Sequence, residues 1–224
     1  MNKVLSKQEK LYILSFIISF ILGSIINQLT FLSSTHKSIL TGILFFILFL
    51  ITWKLFTKLL KKEWVGLKKK IGLNILICIG LAVGVVLLLQ FTRNVLPSEW
   101  LVSNTAIPET FNLSIISLVV SSLQPLMAPF YEEIMFRYLF ISKANSRPLK
   151  VAMLFLQAVI FGLIHTANFG GNYLATIPYM IIALYFGVIY LVTKNIWYSI
   201  SVHFLFNFSS SILPLLSVLL MLLK

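Results

Sequence analysis

The chain has 224 residues, is 59% hydrophobic and only 11% charged, with a mean hydropathy of +0.98 and a net charge of +12. A soluble domain of this length has too little interior to hide so much apolar side chain, so lipid must be the solvent for most of it. The basic residues fall in short clusters between apolar runs and form no single patch, which excludes a nucleic-acid surface and fits a polytopic membrane protein.

In chain order, MNKVLSKQEK followed by LYILSFIISFILGSII has the basic head and apolar body of a signal peptide. The body is too long for that and lacks a small-residue cleavage pattern, so a retained first span is expected. Apolar segments then fall at 11–31, 38–57, 71–92, 111–142, 149–167, 174–192, 195–210 and 211–223. Most are near the ~20 residues that a helix needs to cross hydrocarbon. Backbone groups in lipid must pair within their own segment, so helices are expected and strands are not. The last two segments are short and divided by Pro214. The expectation is an all-α membrane bundle of about eight transmembrane helices, or seven if those two merge. Residues 1–224 read as one membrane domain, with no internal repeat and with the motif region at 125–210.

Lysine and arginine set an expected orientation. Lys3, Lys7, Lys10, the run from Lys54 to Lys70, Lys143, Arg147, Lys150, Lys194 and Lys224 fall on one side; Lys37 and Arg93 fall on the other. By the positive-inside rule both termini are cytosolic. The abundance of Lys, Ile, Asn and Phe with no Asp points to an AT-rich bacterial genome, hence to an integral protein of a bacterial cytoplasmic membrane. Cys78, the single cysteine, reads as a packing residue in a span.

The anomaly is PFYEEIMFRYLF, residues 129–140, within an apolar run. From the fourth segment onward, the ionisable groups away from segment ends are Glu132, Glu133, Arg137, His165 and His203. Such groups cost a few kcal/mol at the bilayer centre and by default mark function, with partners inside the bundle. Glu133 and Arg137 stand at i and i+4 and can pair, while Glu132 is turned about 100° away and can face something else. Phe161 and His165 share one face, as do His203 and Asn207. Each pair alone reads as packing or as a bridge between helices. Together, a carboxylate with a histidine, a second histidine with an amide, and an arginine holding the spare carboxylate suffice to hydrolyse a peptide bond with an activated water. No serine or cysteine is evidently paired with a base. A His₂Glu zinc site of Glu132, His165 and His203 stays open as an alternative, although no HExxH helix is present.

The motifs EEIMFR (132–137), FGLIH (161–165) and HFLFN (203–207), in this order on successive spans, resemble the CAAX protease and bacteriocin-processing enzyme family, also called the Abi family. The resemblance implies an intramembrane endopeptidase with a cavity opening toward the cytosolic side. It implies that Glu132 with His165 activates the water, that His203 and Asn207 form an oxyanion hole, and that Glu133 with Arg137 holds the site together. A metal-independent glutamate protease is favoured over a zinc enzyme, because an amide beside His203 suits an oxyanion donor better than a zinc shell. The implied substrate is a peptide precursor or a lipidated, CAAX-like peptide at the membrane surface.

Two other functions compete. A non-catalytic bacteriocin immunity or scaffold protein would have eroded motifs, and these are intact. A proton-coupled transporter would spread polar groups along a path, whereas here they converge. One difficulty is depth. Counted along ideal helices, Glu132 lies about 32 Å from the start of its segment and His165 about 24 Å from the start of its own. Kinks at Pro125 and Pro129 are expected to close that gap.

Overall fold

A computed structural model describes residues 5–102 and 115–222. The expected retained first span is α1, Lys7–Gln28, and it starts with reciprocal capping. The Ser6 hydroxyl accepts from the Glu9 amide at 3.3 Å, and Glu9 Oε2 accepts from the Ser6 amide at 2.8 Å. Ser33 caps α2, Ser34–Lys68, with its hydroxyl, which accepts from the His36 amide at 3.3 Å. This helix outruns its apolar segment by three turns, because Lys58–Lys68 is a good helix former that needs no lipid. α3 is Ile71–Val95 and α4 is Ile115–Glu133. α5, Arg147–Leu163, has Ser146 as its cap and a proline in its first turn. α6, Ile177–Thr193, ends where Lys194 turns into the left-handed region at φ 51°. α7 is Ile196–Leu222.

All described regular structure is helical, and no strand occurs among the described residues. Five helices are long and apolar enough to cross a membrane: α1, α2, α3, α6 with the turn before it, and α7. The chain is therefore an integral membrane protein. The described residues form seven α-helices, since Pro214 sits inside a continuous α7 and does not divide it. A proline removes one amide donor and can bend a helix without ending it.

The fourth apolar segment, expected at 111–142 with kinks at Pro125 and Pro129, changes character after them. After Glu133 the chain continues without a break as a π-helix, Ile134–Ser142. Its wider i→i+5 turns are rare outside functional sites. α4 is the central element and packs mainly on α7 and α2. An aromatic core of Tyr12, Phe16, Phe45, Phe56, Tyr131 and Phe136 joins α1 and α2 to it. A second core sets Cys78, Ala82 and Val85 of α3 against Ile182 and Phe186 of α6 and Val202 of α7. Leu14, Leu22, Leu76, Leu87, Phe91 and Val192 remain exposed, as lipid-facing residues should be.

Candidate active site

Glu132 and Glu133 end α4 at the point where it widens into the π-helix. The two adjacent carboxylates have different surroundings. Glu133 is fully buried, and its Oε2 lies 3.0 Å from Arg137 Nε, four residues on. Arg137 is fully buried as well. Its Nη2 donates to the Ala183 carbonyl on α6 at 3.2 Å, and its guanidinium lies 5.2–5.9 Å from the ring centres of Phe136, Phe161 and Phe186. A charge enclosed by aromatic faces and balanced by a carboxylate is tolerable where a bare one would not be. Gln157 on α5 donates to the same Ala183 carbonyl at 3.2 Å, which fixes that acceptor between three elements.

The other oxygen of Glu133 reaches α7. His203 Nδ1 donates to Glu133 Oε1 at 2.8 Å, and the ring stacks on Phe186 with centroids 4.7 Å apart. A carboxylate can only accept, so Nδ1 carries a proton and Nε2 is the nitrogen left for chemistry. That Nε2 is 3.8 Å from Glu132 Oε2, too far for a direct hydrogen bond. Glu132 is only 5% exposed, and its Oε2 has no hydrogen-bond partner within the protein.

His165 stands one residue past the last turn of α5, where the chain tightens into a 3₁₀ turn, Thr166–Phe169. Its Nδ1 donates to the Phe161 carbonyl at 2.7 Å, again leaving Nε2 free, and its ring lies between those of Phe161 and Tyr179, each 4.9 Å away. The motif pair Phe161–His165 is thus a packing and hydrogen-bonded unit. His165 forms no ion pair with Glu132; the imidazole beside Glu132 is His203. The turn expected at Gly170 and Gly171 follows, with φ of 60° and 89°, values that favour glycine.

Glu132, His165, His203 and Asn207 line one cavity of about 1000 Å³; Glu133 and Arg137 lie behind its wall. The depth difference between Glu132 and His165 does not separate them, because the cavity runs lengthwise and reaches exposed Asn27, Arg93 and Asn168. Those residues sit at the end of the bundle where α1, α3 and α5 finish. The Lys54–Lys70 run and the Lys143–Lys150 turn are at the opposite end. The expected mouth on the lysine-rich side is therefore not what the described residues form. Cross-helix bonds tie that end together. Glu63 accepts from the first amide of α7, Trp197 Nε1 donates to the Leu60 carbonyl at 2.8 Å, and Lys143 pairs with Glu9.

Asn207, one turn beyond His203, donates through Nδ2 to the Pro125 carbonyl on α4 at 2.8 Å. The motifs gave no hint of this partner, although the Pro125–Pro129 spacing contains it, as argued below. Phe186, Tyr179 and Gln157 were likewise missed, since nothing in an apolar helix marks which aromatic or amide faces a histidine or an arginine. Among the described residues, no three His, Cys, Asp or Glu side chains stand as a metal-binding group; Glu132, His165 and His203 do not form one.

No curated protein and no solved structure matches the chain. Residues 114–209 match the family model described as type II CAAX prenyl endopeptidase Rce1-like. That span holds α4, the π-helix and every motif residue described above. Over this segment the chain is similar to the Rce1-like type II CAAX prenyl endopeptidase family, in line with the resemblance that the three motifs carry.

Proposed function

We propose that the protein is an intramembrane endopeptidase that hydrolyses a peptide bond with a water activated at Glu132. The observation that carries this reading is the Glu132 carboxylate: buried, on the wall of a large cavity, with one oxygen unpartnered beside an imidazole. A buried polar atom without a partner is uncommon and calls for a reason, of which catalysis is one.

In this mechanism a water in the cavity gives a proton to Glu132 as its oxygen attacks the scissile carbonyl carbon. His165 supports the same step, since its Nδ1–H is committed to Phe161 and its Nε2 can accept. His203, oriented by the bond from its Nδ1–H to Glu133, faces the developing oxyanion with Nε2, where a proton on that nitrogen would donate. Collapse of the tetrahedral intermediate breaks the C–N bond, and the proton taken from water passes to the leaving amine. The net change is one water added across the peptide bond. Arg137 pairs with Glu133 from the side opposite His203, so the carboxylate that holds His203 is itself held in place. No step is routed through a metal.

The substrate class is a peptide precursor or a CAAX-like lipidated peptide, the second being what the family's description carries. The test is cleavage of a fluorogenic peptide panel, prenylated peptides included, by the purified full chain beside Glu132→Gln, with a strong chelator as a third arm. The expected result is cleavage by the wild type, a loss of about 10²–10⁴-fold in the variant, and no effect of chelator. Loss with chelator as well would assign Glu132, His165 and His203 to zinc. No cleavage of any peptide, with Glu132→Ala retaining the cellular phenotype, would leave the immunity or scaffold reading.

A further inference from the structure

Pro125 and Pro129 stand four residues apart inside α4. In an α-helix each carbonyl accepts from the amide four residues on. Proline has no amide hydrogen, so covalent chemistry alone denies the Pro125 carbonyl its helical partner at position 129. An unpaired carbonyl is costly, so it needs a donor from outside its own helix. It comes from α7, where Asn207 Nδ2 donates to this carbonyl at 2.8 Å.

The place of this bond matters more than its strength. Asn207 is one turn past His203, and Pro125 is about two turns before Glu132. The bond therefore fixes how far α7 has slid along α4. That slide sets the 3.8 Å between His203 Nε2 and Glu132 Oε2, and the 2.8 Å between His203 Nδ1 and Glu133 Oε1. We infer that Asn207 is a positioning residue: it replaces the amide missing at Pro129 on the Pro125 carbonyl, and so sets the register of His203 against the two glutamates. The two prolines and the asparagine form one device. The inference deepens the endopeptidase reading and rests on it for its kinetic arm, though not for its spectroscopic one.

The device predicts a suppressor. In Asn207→Ala the Pro125 carbonyl is orphaned and α7 loses its register, and a misplacement on the order of 1 Å lowers kcat about 10²-fold. Adding Pro129→Ala restores an amide at position 129 that donates to the Pro125 carbonyl within α4. The double variant is expected to recover to within about tenfold of Pro129→Ala alone, with KM little changed throughout. An asparagine acting on the oxyanion itself would give no such rescue, because no change at position 129 replaces a lost donor in the cavity. A double variant as slow as Asn207→Ala, beside an active Pro129→Ala, overturns the proposal.

Should Pro129→Ala fail to fold, the carbonyl can be read directly. The chain has seven prolines, and three of them, Pro125, Pro148 and Pro214, precede leucine. Full-length protein carrying ¹³C in the proline carbonyls and ¹⁵N in leucine thus gives three linked signals. Asn207→Ala is expected to move the Pro125 signal and leave the other two in place; no movement overturns the assignment, whether or not the protein cleaves peptides.

Discussion

Two buried threonines of the second and third helices and the site residues of the last four meet the same apolar surroundings in different ways. In α2 and α3, Thr41 and Thr92 are buried, and each hydroxyl donates back to a carbonyl of its own helix at 2.7–2.8 Å. In α4–α7, Arg137, Gln157, His203 and Asn207 each reach a different helix. A hydroxyl bonded within its own helix says nothing about neighbours and constrains none. Side chains that can be satisfied only across helices fix register, and register is what a catalytic constellation needs. The amino-terminal helices are not idle, however. Tyr12 of α1 donates to the Tyr131 carbonyl just before Glu132, and Glu9 accepts from Tyr138 and pairs with Lys143 on the far side of the π-helix. A region without a motif thus braces the motif helix at both ends.

The contrast can be broken most severely at its centre. Glu132→Gln keeps size and burial but removes the proposed base, so peptide hydrolysis should fall about 10²–10⁴-fold while the thermal unfolding midpoint in micelles stays near that of the wild type. A large fall in the midpoint instead would make Glu132 a structural group. Arg137→Ala attacks stability: it strands the Glu133 carboxylate in a dry interior, at a cost of about 3–5 kcal/mol, and Arg137→Met with Glu133→Gln should recover much of that. Unfolding of the three variants in one detergent settles it, and equal destabilisation of single and double would remove the pair from its proposed place.

Packing sharpens the contrast at smaller scale. A Cβ at Gly187 of α6 would meet the Leu154 side chain at 2.3 Å and Gln157 Nε2 at 3.2 Å, whereas at Gly80 of α3 nothing lies within 4 Å. Gly187→Ala should destabilise by about 1–3 kcal/mol. Gly80→Ala should stabilise by about 0.5–1 kcal/mol, since only the helix's own entropy is at stake. The reverse order of the two unfolding midpoints would contradict the packing described for α3 and α6. The smallest effect belongs to Thr92→Val, expected to cost less than about 1 kcal/mol and to leave peptide hydrolysis unchanged, because the lost bond lay within one helix. A tenfold loss of hydrolysis in that variant would show that α3 carries register too.

Much of the site was legible because charge in lipid is conspicuous. Glu132, Glu133, Arg137, His165 and His203 stand out from apolar runs without any structure, and the i, i+4 rule already gave Glu133, not Glu132, to Arg137. Three things were not legible. Spacing along one helix cannot say which of two histidines on other helices comes beside Glu132, and it is His203. Apolar periodicity does not distinguish an α-turn from the π-turns of Ile134–Ser142, since both keep a similar face buried. The end at which the cavity opens depends on where several helices diverge, which no single segment encodes.

The sequence by itself determined that this is an all-helical membrane protein, since hydrophobicity and the need to pair every backbone group in lipid leave no alternative. It also determined which side chains are costly enough to require partners, and its motifs pointed to the family whose model matches residues 114–209. Tertiary structure decided who those partners are: Glu133 shared between Arg137 and His203, Asn207 on the carbonyl that Pro129 leaves bare, and Glu132 with an oxygen free at the cavity wall. The physical reason is one of range. Hydropathy and helical spacing act within a segment, whereas the depth and rotation of one helix against another are settled by packing across the whole bundle.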